Sequence, residues 1–222
     1  MPRLPLAIGC AVIGLLAGRL LVRAWWLPSG TGSPARRRHR VAELLTAGVF
    51  AAVAVRLGAD PALPAFLYLA GVGIALALID LDAHRLPNVL TLPSYPVGVV
   101  ALAIAAGVRG SATPLVRGLL GMVALFALYF LLALAHPGGM GFGDVKLAGV
   151  LGLYLGWLGW GPWAVGAVAA FLLGGLTGMA LMAAGRAGPK SRIPFGPFML
   201  AGCLLGVLAG APLAAAYAGT AG

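Results

Sequence analysis

The sequence predicts the all-α fold class: a polytopic membrane protein, a bundle of about eight transmembrane helices forming one domain over residues 1–222. Hydrophobic residues make up 61% of the chain and charged residues 9%, and the mean hydropathy is +1.02. A water-soluble domain could not cover that much apolar surface. A transmembrane helix needs about 20 apolar residues, so the roughly 160 residues outside loops and ends make about eight spans. The two cysteines, Cys10 and Cys203, lie inside apolar runs and form no Cys-x-x-Cys pair, which excludes zinc ribbons and disulfide frameworks.

The first three predicted spans are apolar runs that begin or end at charged residues, Pro or Gly. The run at residues 4–27 is too long for a signal peptide, has arginines near its far end and lacks a small-x-small cleavage pattern. The second span, 41–57, follows a cluster of arginines. The third, 62–80, follows the turn-forming sequence Gly-Ala-Asp-Pro at 58–61.

Five further apolar runs complete the predicted bundle. They are residues 90–108, 114–135, 145–160, 161–184 and 194–217. Repeated glycines in the sixth run leave open a short or tilted element, and glycine within spans lets helices approach closely. No internal repeat is visible, which argues against a transporter built from two related halves.

Basic residues predict the orientation of the chain. The segment 28–40 is a short basic loop that contains the densest positive cluster, Arg36 to Arg40, and is predicted to be cytoplasmic. Alternation then places the loops 81–88, 136–144 and 185–192 on the same side and both termini outside. Of the 15 Lys and Arg residues only four fall outside, namely Arg3, Arg56, Arg109 and Arg117. The net charge of +10 therefore indicates topology in a lipid bilayer, and no nucleic-acid partner is predicted.

Candidate chemistry rests on a small set of acids: Glu43, Asp60, Asp80, Asp82 and Asp144. Ionisable groups at membrane depth are costly and are usually functional. Asp80 lies about 27 Å along the third span, at its cytoplasmic end, whereas Asp82 is roughly 200° further round the helix. We therefore expect only one of these two aspartates to face the interior of the bundle.

Asp144 follows a glycine-rich segment and opens the sixth apolar run, so it is predicted at the same cytoplasmic face as Asp80. Two carboxylates about 4 Å apart would repel by roughly 4 kcal/mol at an effective dielectric near 20, and one would keep its proton near neutrality. Such a pair titrates as a unit and can activate water for amide hydrolysis without a metal or covalent intermediate. The chain has neither a His-Glu-x-x-His nor a Gly-x-Ser-x-Gly motif.

Structural roles remain alternatives for each charged residue. Asp144 is equally well explained as a helix cap, and an Asp at the end of a span can simply mark the membrane interface. Glu43 is interpreted as a first-turn acid that complements a helix dipole. Lys146 is interpreted as an interfacial charge or as a local partner of Asp144.

Two sequence signatures resemble those of the type IV prepilin peptidases. In the first, Asp80 precedes Pro87-Asn88 by six intervening residues, a spacing that Asp82 does not meet. The second is Gly141-Phe142-Gly143-Asp144-Val145-Lys146, a Gly-x-Gly-Asp motif with Lys two positions later. The segments 40–45 and 194–198 resemble further parts of the family, and the similarity extends from about residue 36 to the C-terminal end.

The resemblance implies an aspartic endopeptidase that removes the short basic leader of prepilins or pseudopilins after a Gly at the cytoplasmic face. It implies Asp80 and Asp144 as catalytic residues, a supporting site of Pro87, Asn88, Gly141, Gly143 and Lys146, and the cytoplasmic membrane as the location. Many bacterial members carry an inner loop with two Cys-x-x-Cys pairs and methylate the new N-terminus with S-adenosylmethionine. The loop 28–40 has no cysteine, so a zinc site there is excluded. Peptidase activity is expected to need no cofactor, and use of S-adenosylmethionine is left open.

Two other functions compete with the peptidase. A proton-coupled transporter could use Asp80 and Asp144 as a proton relay, although alternating access favours a site near the bilayer midplane. A structural subunit of a pilus or secretion machine could keep the fold without activity, against which the intact pair of aspartates argues. The sequence does not identify the substrate or the oligomeric state.

Overall fold

A computed structural model describes residues 3–26, 34–135, 140–186, 188 and 193–220. In this part of the chain all regular structure is helical, which confirms the predicted fold class. The helices are α1 (Arg3–Trp26), α2 (Pro34–Leu57), α3 (Leu63–Ala83), α4 (Asn88–Thr91), α5 (Ser94–Arg109), α6 (Thr113–Ala135), α7 (Phe142–Leu158), α8 (Trp160–Ala183) and α9 (Gly196–Thr220).

Each predicted span corresponds to a helix, with two differences in bounds. The predicted fourth span is divided into α4 and α5 near Pro93, a residue that has no backbone N–H to continue the helix. Helix α2 begins at Pro34 rather than at residue 41, so the arginine-rich segment is helical where a loop was expected. Among the described residues, six segments are long and apolar enough to cross a membrane, and α2 and α7 lie outside these six.

The chain divides into two compact units, one ending at Ala75 and the other beginning at Leu76, within α3. In the first unit, α1 and α2 form an antiparallel pair. A Cβ atom added at Gly18 would lie 2.8 Å from Glu43 Cα, so a glycine is needed for this close approach. Arg19 Nε donates to Glu43 Oε1 at 3.2 Å. The interpretation of Glu43 as a first-turn acid is therefore wrong, because α2 starts nine residues before it and Glu43 pairs with Arg19 instead.

Helix α7 is the centre of the second unit. It is buried from Val145 to Trp157 except at Lys146, as expected for a helix that is apolar all round. Its glycines face those of α6: a Cβ at Gly156 would lie 2.7 Å from Arg117 O. The Arg117 guanidinium also donates to Gly156 O at 2.7 Å and to Trp157 O at 2.6 Å. These bonds satisfy carbonyls at the end of α7 and place a cation at the negative end of its dipole.

Helices α8 and α9 form a second antiparallel pair in this unit, again through glycine. A Cβ at Gly202 would lie 2.6 Å from Ala170 N and 2.7 Å from Gly166 O. Gly159 separates α7 from α8 with φ 149°, a conformation that residues with a side chain rarely adopt. The start of α9 and the start of α7 both contact residues that follow α3, and this arrangement forms the candidate site.

Candidate active site

Asp80 lies in the last turn of α3 and its side chain is buried, with 4% of its surface exposed. His84 ends this helix with φ 50° and donates its backbone N–H to Asp80 O at 2.9 Å. The carboxylate points away from its own helix, and Oδ2 accepts a hydrogen bond from Gly196 N–H at 3.0 Å. Asp80 is therefore held by a residue that is 116 positions later in the chain.

Gly196 is the first residue of α9, and its N–H is one of the donors that a helix start cannot satisfy internally. Phe195 O accepts from Phe198 N and Met199 N, both at 3.1 Å, which marks Phe195 as the residue that caps the helix. A Cβ added at Gly196 would lie 2.7 Å from Asp80 Oδ2. Only glycine at this position lets the carboxylate approach the start of α9 so closely.

Asp144 is the third residue of α7 and is half-buried. Its Oδ2 accepts from Gly141 N–H at 3.2 Å, while its own N–H donates to Gly141 O at 3.0 Å. This reciprocal arrangement is a capping interaction at the helix start. The cap that the sequence suggested is therefore present, and it occupies one carboxylate oxygen of Asp144.

Asp80 and Asp144 interact electrostatically, as expected if two carboxylates converge. Burial and, to a smaller extent, the negative charge of Asp80 together raise the pKa of Asp144 to about 6, against the opposing effect of the hydrogen bond from Gly141. Asp144 also faces Tyr129, a buried residue of α6. Asp82 is exposed, so Asp80 is the member of the Asp80–Asp82 pair that faces the interior.

The supporting residues suggested by the resemblance lie around the two aspartates. Pro87 precedes α4, whose first residue is Asn88. Asn88 Oδ1 accepts from Lys146 Nζ at 2.9 Å, and this nitrogen lies 4.9 Å from the centre of the Phe142 ring. Lys146 therefore links α7 to α4, which corrects its interpretation as a partner of Asp144.

The two glycines that precede Asp144 allow close contacts at the start of α7. A Cβ added at Gly143 would lie 3.0 Å from Leu86 Cβ, and one at Gly141 would lie 3.3 Å from Asp144 Oδ2. Leu86 is itself 9% exposed and also lies 3.3 Å from the Cβ position of Gly196. Leu86 thus fills the space between the starts of α7 and α9.

Sequence reasoning did not place Leu86, Tyr129 or Gly196 in the site. The sequence contains only weak signals for these three residues. Leu86 is the only large aliphatic residue in the segment from Asp82 to Asn88. Gly196 lies in the segment Pro-Phe-Gly-Pro-Phe that resembled the family without an assigned role. Tyr129 lies in an apolar run where nothing separates it from other aromatic residues.

Among the described residues, no group of three or more His, Cys, Asp or Glu side chains could hold a metal ion. His39 and His136 lie outside the described side chains, so the expectation of a metal-free site stays a prediction.

The fold and this site define a class: a helical, multi-pass membrane protein with two interacting aspartates, one in the last turn of a helix and one in the first turn of another. The chain belongs to the Type IV leader peptidase family, whose sequence model matches residues 67–183, more than half of the chain. That match includes Asp80 and Asp144 but ends before α9.

Curated relatives carry the name "Prepilin leader peptidase/N-methyltransferase". The protein of Aeromonas hydrophila is 32% identical over 77% of this chain and 58% of its own length. The protein of Bacillus subtilis is 32% identical over 81% of this chain and 69% of its own length. The protein of Pseudomonas aeruginosa is 30% identical over 73% of this chain and 55% of its own length. The chain thus spans little more than half of the Aeromonas and Pseudomonas relatives. No solved structure shows a significant match to it.

Proposed function

We propose that this protein is a membrane aspartic endopeptidase that cleaves the basic leader of type IV prepilins or pseudopilins after Gly, at the cytoplasmic face. The observation that carries the proposal is the electrostatic interaction between Asp80 and Asp144, two acids from distant parts of the chain. Family membership supports the reaction class, and the names of the relatives support the substrate class.

The proposed reaction divides proton transfers between the two carboxyl groups. With one proton shared by the pair, the carboxylate accepts a proton from water while the water oxygen forms a bond to the scissile carbonyl carbon. The carboxyl group donates its proton to the carbonyl oxygen. The resulting tetrahedral species breaks its C–N bond as a proton passes to the leaving amine. No covalent enzyme intermediate or cofactor enters this sequence.

A proton relay for transport is less well supported by the same geometry. Asp80 lies in the last turn of α3 and Asp144 in the first turn of α7, so both carboxylates lie at helix ends rather than halfway along a span. The site of an alternating-access transporter is typically near the midplane. A peptidase that meets its substrate at the membrane surface fits the observed positions better.

Cleavage of a synthetic peptide by the purified protein tests the proposal. The peptide carries basic residues, then Gly, then an apolar helix, and its products are measured by mass spectrometry. Asp80→Asn and Asp144→Asn should each abolish cleavage while the protein stays folded. Asp82→Asn is the matched control and should cleave nearly normally, because Asp82 is exposed. Full activity of either buried-site variant would disprove the mechanism.

Cofactor use is tested in the same assay. Cleavage should continue in EDTA and after treatment with serine or cysteine reagents. Cys10 and Cys203 are both buried, and both are distant in sequence from the two aspartates. Inhibition by EDTA that a divalent ion reverses would assign the chemistry to a metal. Mass spectrometry of the product after addition of S-adenosylmethionine distinguishes methylation of the new N-terminus from cleavage itself.

A further inference from the structure

The carboxylates of both aspartates lie at helix starts, that of Asp80 at the start of α9 and that of Asp144 at the start of its own helix α7, but they are held differently. Asp144 accepts from Gly141, which is exposed and belongs to the segment that leads into its own helix. Asp80 is buried and accepts from the first N–H of α9. A hydrogen bond shielded from water is electrostatically stronger than one that water can compete with.

The start of α9 favours a negative charge at Asp80. This helix has 25 residues, and the aligned peptide dipoles give a helix start roughly half a positive charge. Its first N–H points at Asp80 Oδ2 over 3.0 Å. A hydrogen bond donated to a carboxylate stabilises the ionised form over the protonated form.

The two charged groups described beside Asp80 act on it in opposite directions. His84, one turn beyond Asp80, attracts the carboxylate when it is protonated, and Asp144 repels it. Asp144 faces the charge of Asp80 and the phenol of Tyr129, with Gly141 as its hydrogen-bond donor. No cation faces Asp144 among the groups that the structure describes around it, since Lys146 bonds to Asn88.

We propose that Gly196 is a positioning residue that holds Asp80 as the carboxylate, so that Asp80 is the base and Asp144 the acid of the reaction. This inference rests on the proposed peptidase function and assigns the two protons within it. The pKa of Asp144, raised to about 6 by burial and by the charge of Asp80, agrees with a group that keeps a proton for longer than an ordinary carboxyl.

The assignment gives each oxygen a role. Asp80 Oδ2 stays bonded to Gly196 N–H, and Oδ1 accepts a proton from the attacking water. Asp144 gives its proton to the carbonyl oxygen as the new C–O bond forms. When the C–N bond breaks, Asp80 passes its proton to the leaving amine and Asp144 recovers one from the tetrahedral species. The cycle ends with Asp80 ionised and Asp144 protonated, as it began.

The test replaces Gly196 by Ala and follows the pH profile of peptide cleavage. The added Cβ would lie 2.7 Å from Asp80 Oδ2, so the carboxylate must shift, and its hydrogen bond to the N–H is weakened or lost. Loss of that donor makes Asp80 easier to protonate, and the acid limb of kcat/KM should move to higher pH while the basic limb stays. We expect at least a tenfold loss at the acid side of the profile, in kcat rather than KM.

Gly175→Ala is the matched control, because a Cβ at Gly175 in α8 meets nothing within 4 Å. Its profile should coincide with that of the unmodified protein. An equal loss at every pH in Gly196→Ala would show a merely structural role and overturn the inference. A shift of the basic limb alone would mean that Gly196 acts on Asp144, which would also overturn it.

A second measurement stands even if Gly196→Ala does not fold. Infrared bands that differ between Asp144→Asn and a variant lacking both aspartates report protonation of Asp80. Bands that differ between Asp80→Asn and the same double variant report protonation of Asp144. The protonated carboxyl band should disappear at lower pH for Asp80 than for Asp144, and the reverse order would contradict the assignment. If both Asn variants cleaved peptide, the proposed function would fail instead, so the two failures are distinguishable.

Discussion

Lys146 Nζ donates a hydrogen bond to Asn88 Oδ1 over 2.9 Å and so connects the N-terminal part of α7 to the first residue of α4. The backbone is joined at the same point, because Tyr95 OH donates to Lys146 O at 2.7 Å. Lys146 is two residues after Asp144, and Asn88 is in the segment that follows Asp80. This contact fixes the relative position of the two chain segments that carry the carboxylates.

Removing either partner of this contact should lower cleavage without abolishing it. We expect Lys146→Met and Asn88→Ala each to reduce kcat/KM by about tenfold, equivalent to about 1.4 kcal/mol. The double variant should lose little more than either single one, because both changes remove the same hydrogen bond. Additive losses in this double-mutant cycle would show that the two residues act independently.

Ionisation of Asp144 should make stability depend on pH. Burial and the charge of Asp80 raise its pKa to about 6, from an ordinary value of about 3.9. The folded state therefore holds this proton more tightly than the unfolded state, and the resulting stability is present below about pH 4 and is lost as pH rises through about 6. The melting temperature of Asp144→Asn minus that of the unmodified protein should therefore be larger above pH 6 than at pH 4.

Thermal unfolding in detergent from pH 4 to 8 measures this difference. Asp82→Asn is the control, since its carboxyl is exposed and its difference from the unmodified protein should change little with pH. A constant difference for Asp144→Asn across the range would refute the argument.

In the cleavage assay, the same ionisation should set a basic limb near pH 6, giving a bell-shaped profile with the acid limb.

Topology is a separate prediction, which rests on the distribution of basic residues. Single cysteines introduced at Arg85 and at Ser111, in a variant lacking Cys10 and Cys203, should lie on opposite sides of the membrane. A membrane-impermeant thiol reagent should label Ser111→Cys in intact cells and Arg85→Cys only after permeabilisation. Labelling of Arg85→Cys in intact cells would reverse the orientation and place the site at the outer face.

Close contact between α6 and α7 predicts unequal effects of glycine replacement. A Cβ at Gly152 would contact Gly121 O and would lie 2.9 Å from Leu125 Cβ, whereas one at Gly107 in α5 meets nothing within 4 Å. Gly152→Ala should lower the free energy of unfolding by about 1–3 kcal/mol through overpacking. Gly107→Ala should be neutral or stabilising by up to about 1 kcal/mol, since alanine favours helix. Equal melting temperatures for the two variants would contradict this account.

The helices were largely predictable because an apolar run long enough to cross a bilayer has few other stable forms. The start of α2 was missed because arginines were treated as loop residues. Yet Pro34 suits the first position of a helix, where its missing N–H costs nothing, and arginine is a good helix former. The break near Pro93 was also missed, because the run that contains it is continuous in hydropathy.

The candidate site was predictable only as far as it depends on membrane side and depth. Alternation of spans brought Asp80 and Asp144 to one face, and helix geometry separated Asp80 from Asp82. The hydrogen bond from Gly196 could not be predicted in this way, because it depends on how α9 packs beside the end of α3. Lys146 and Asn88 both belong to the supporting site that the resemblance implies, but their contact depends on the position of a four-residue helix, α4.

Because α7 is enclosed by protein, its length does not have to match the thickness of the lipid bilayer. Its 17 residues span about 25 Å, less than the roughly 30 Å of a typical hydrocarbon core. A helix this short that faced lipid would force the membrane to thin around it. Because α7 is surrounded by protein, hydrophobic mismatch falls on the outer helices, and the position of Asp144 along α7 need not change between membranes of different composition.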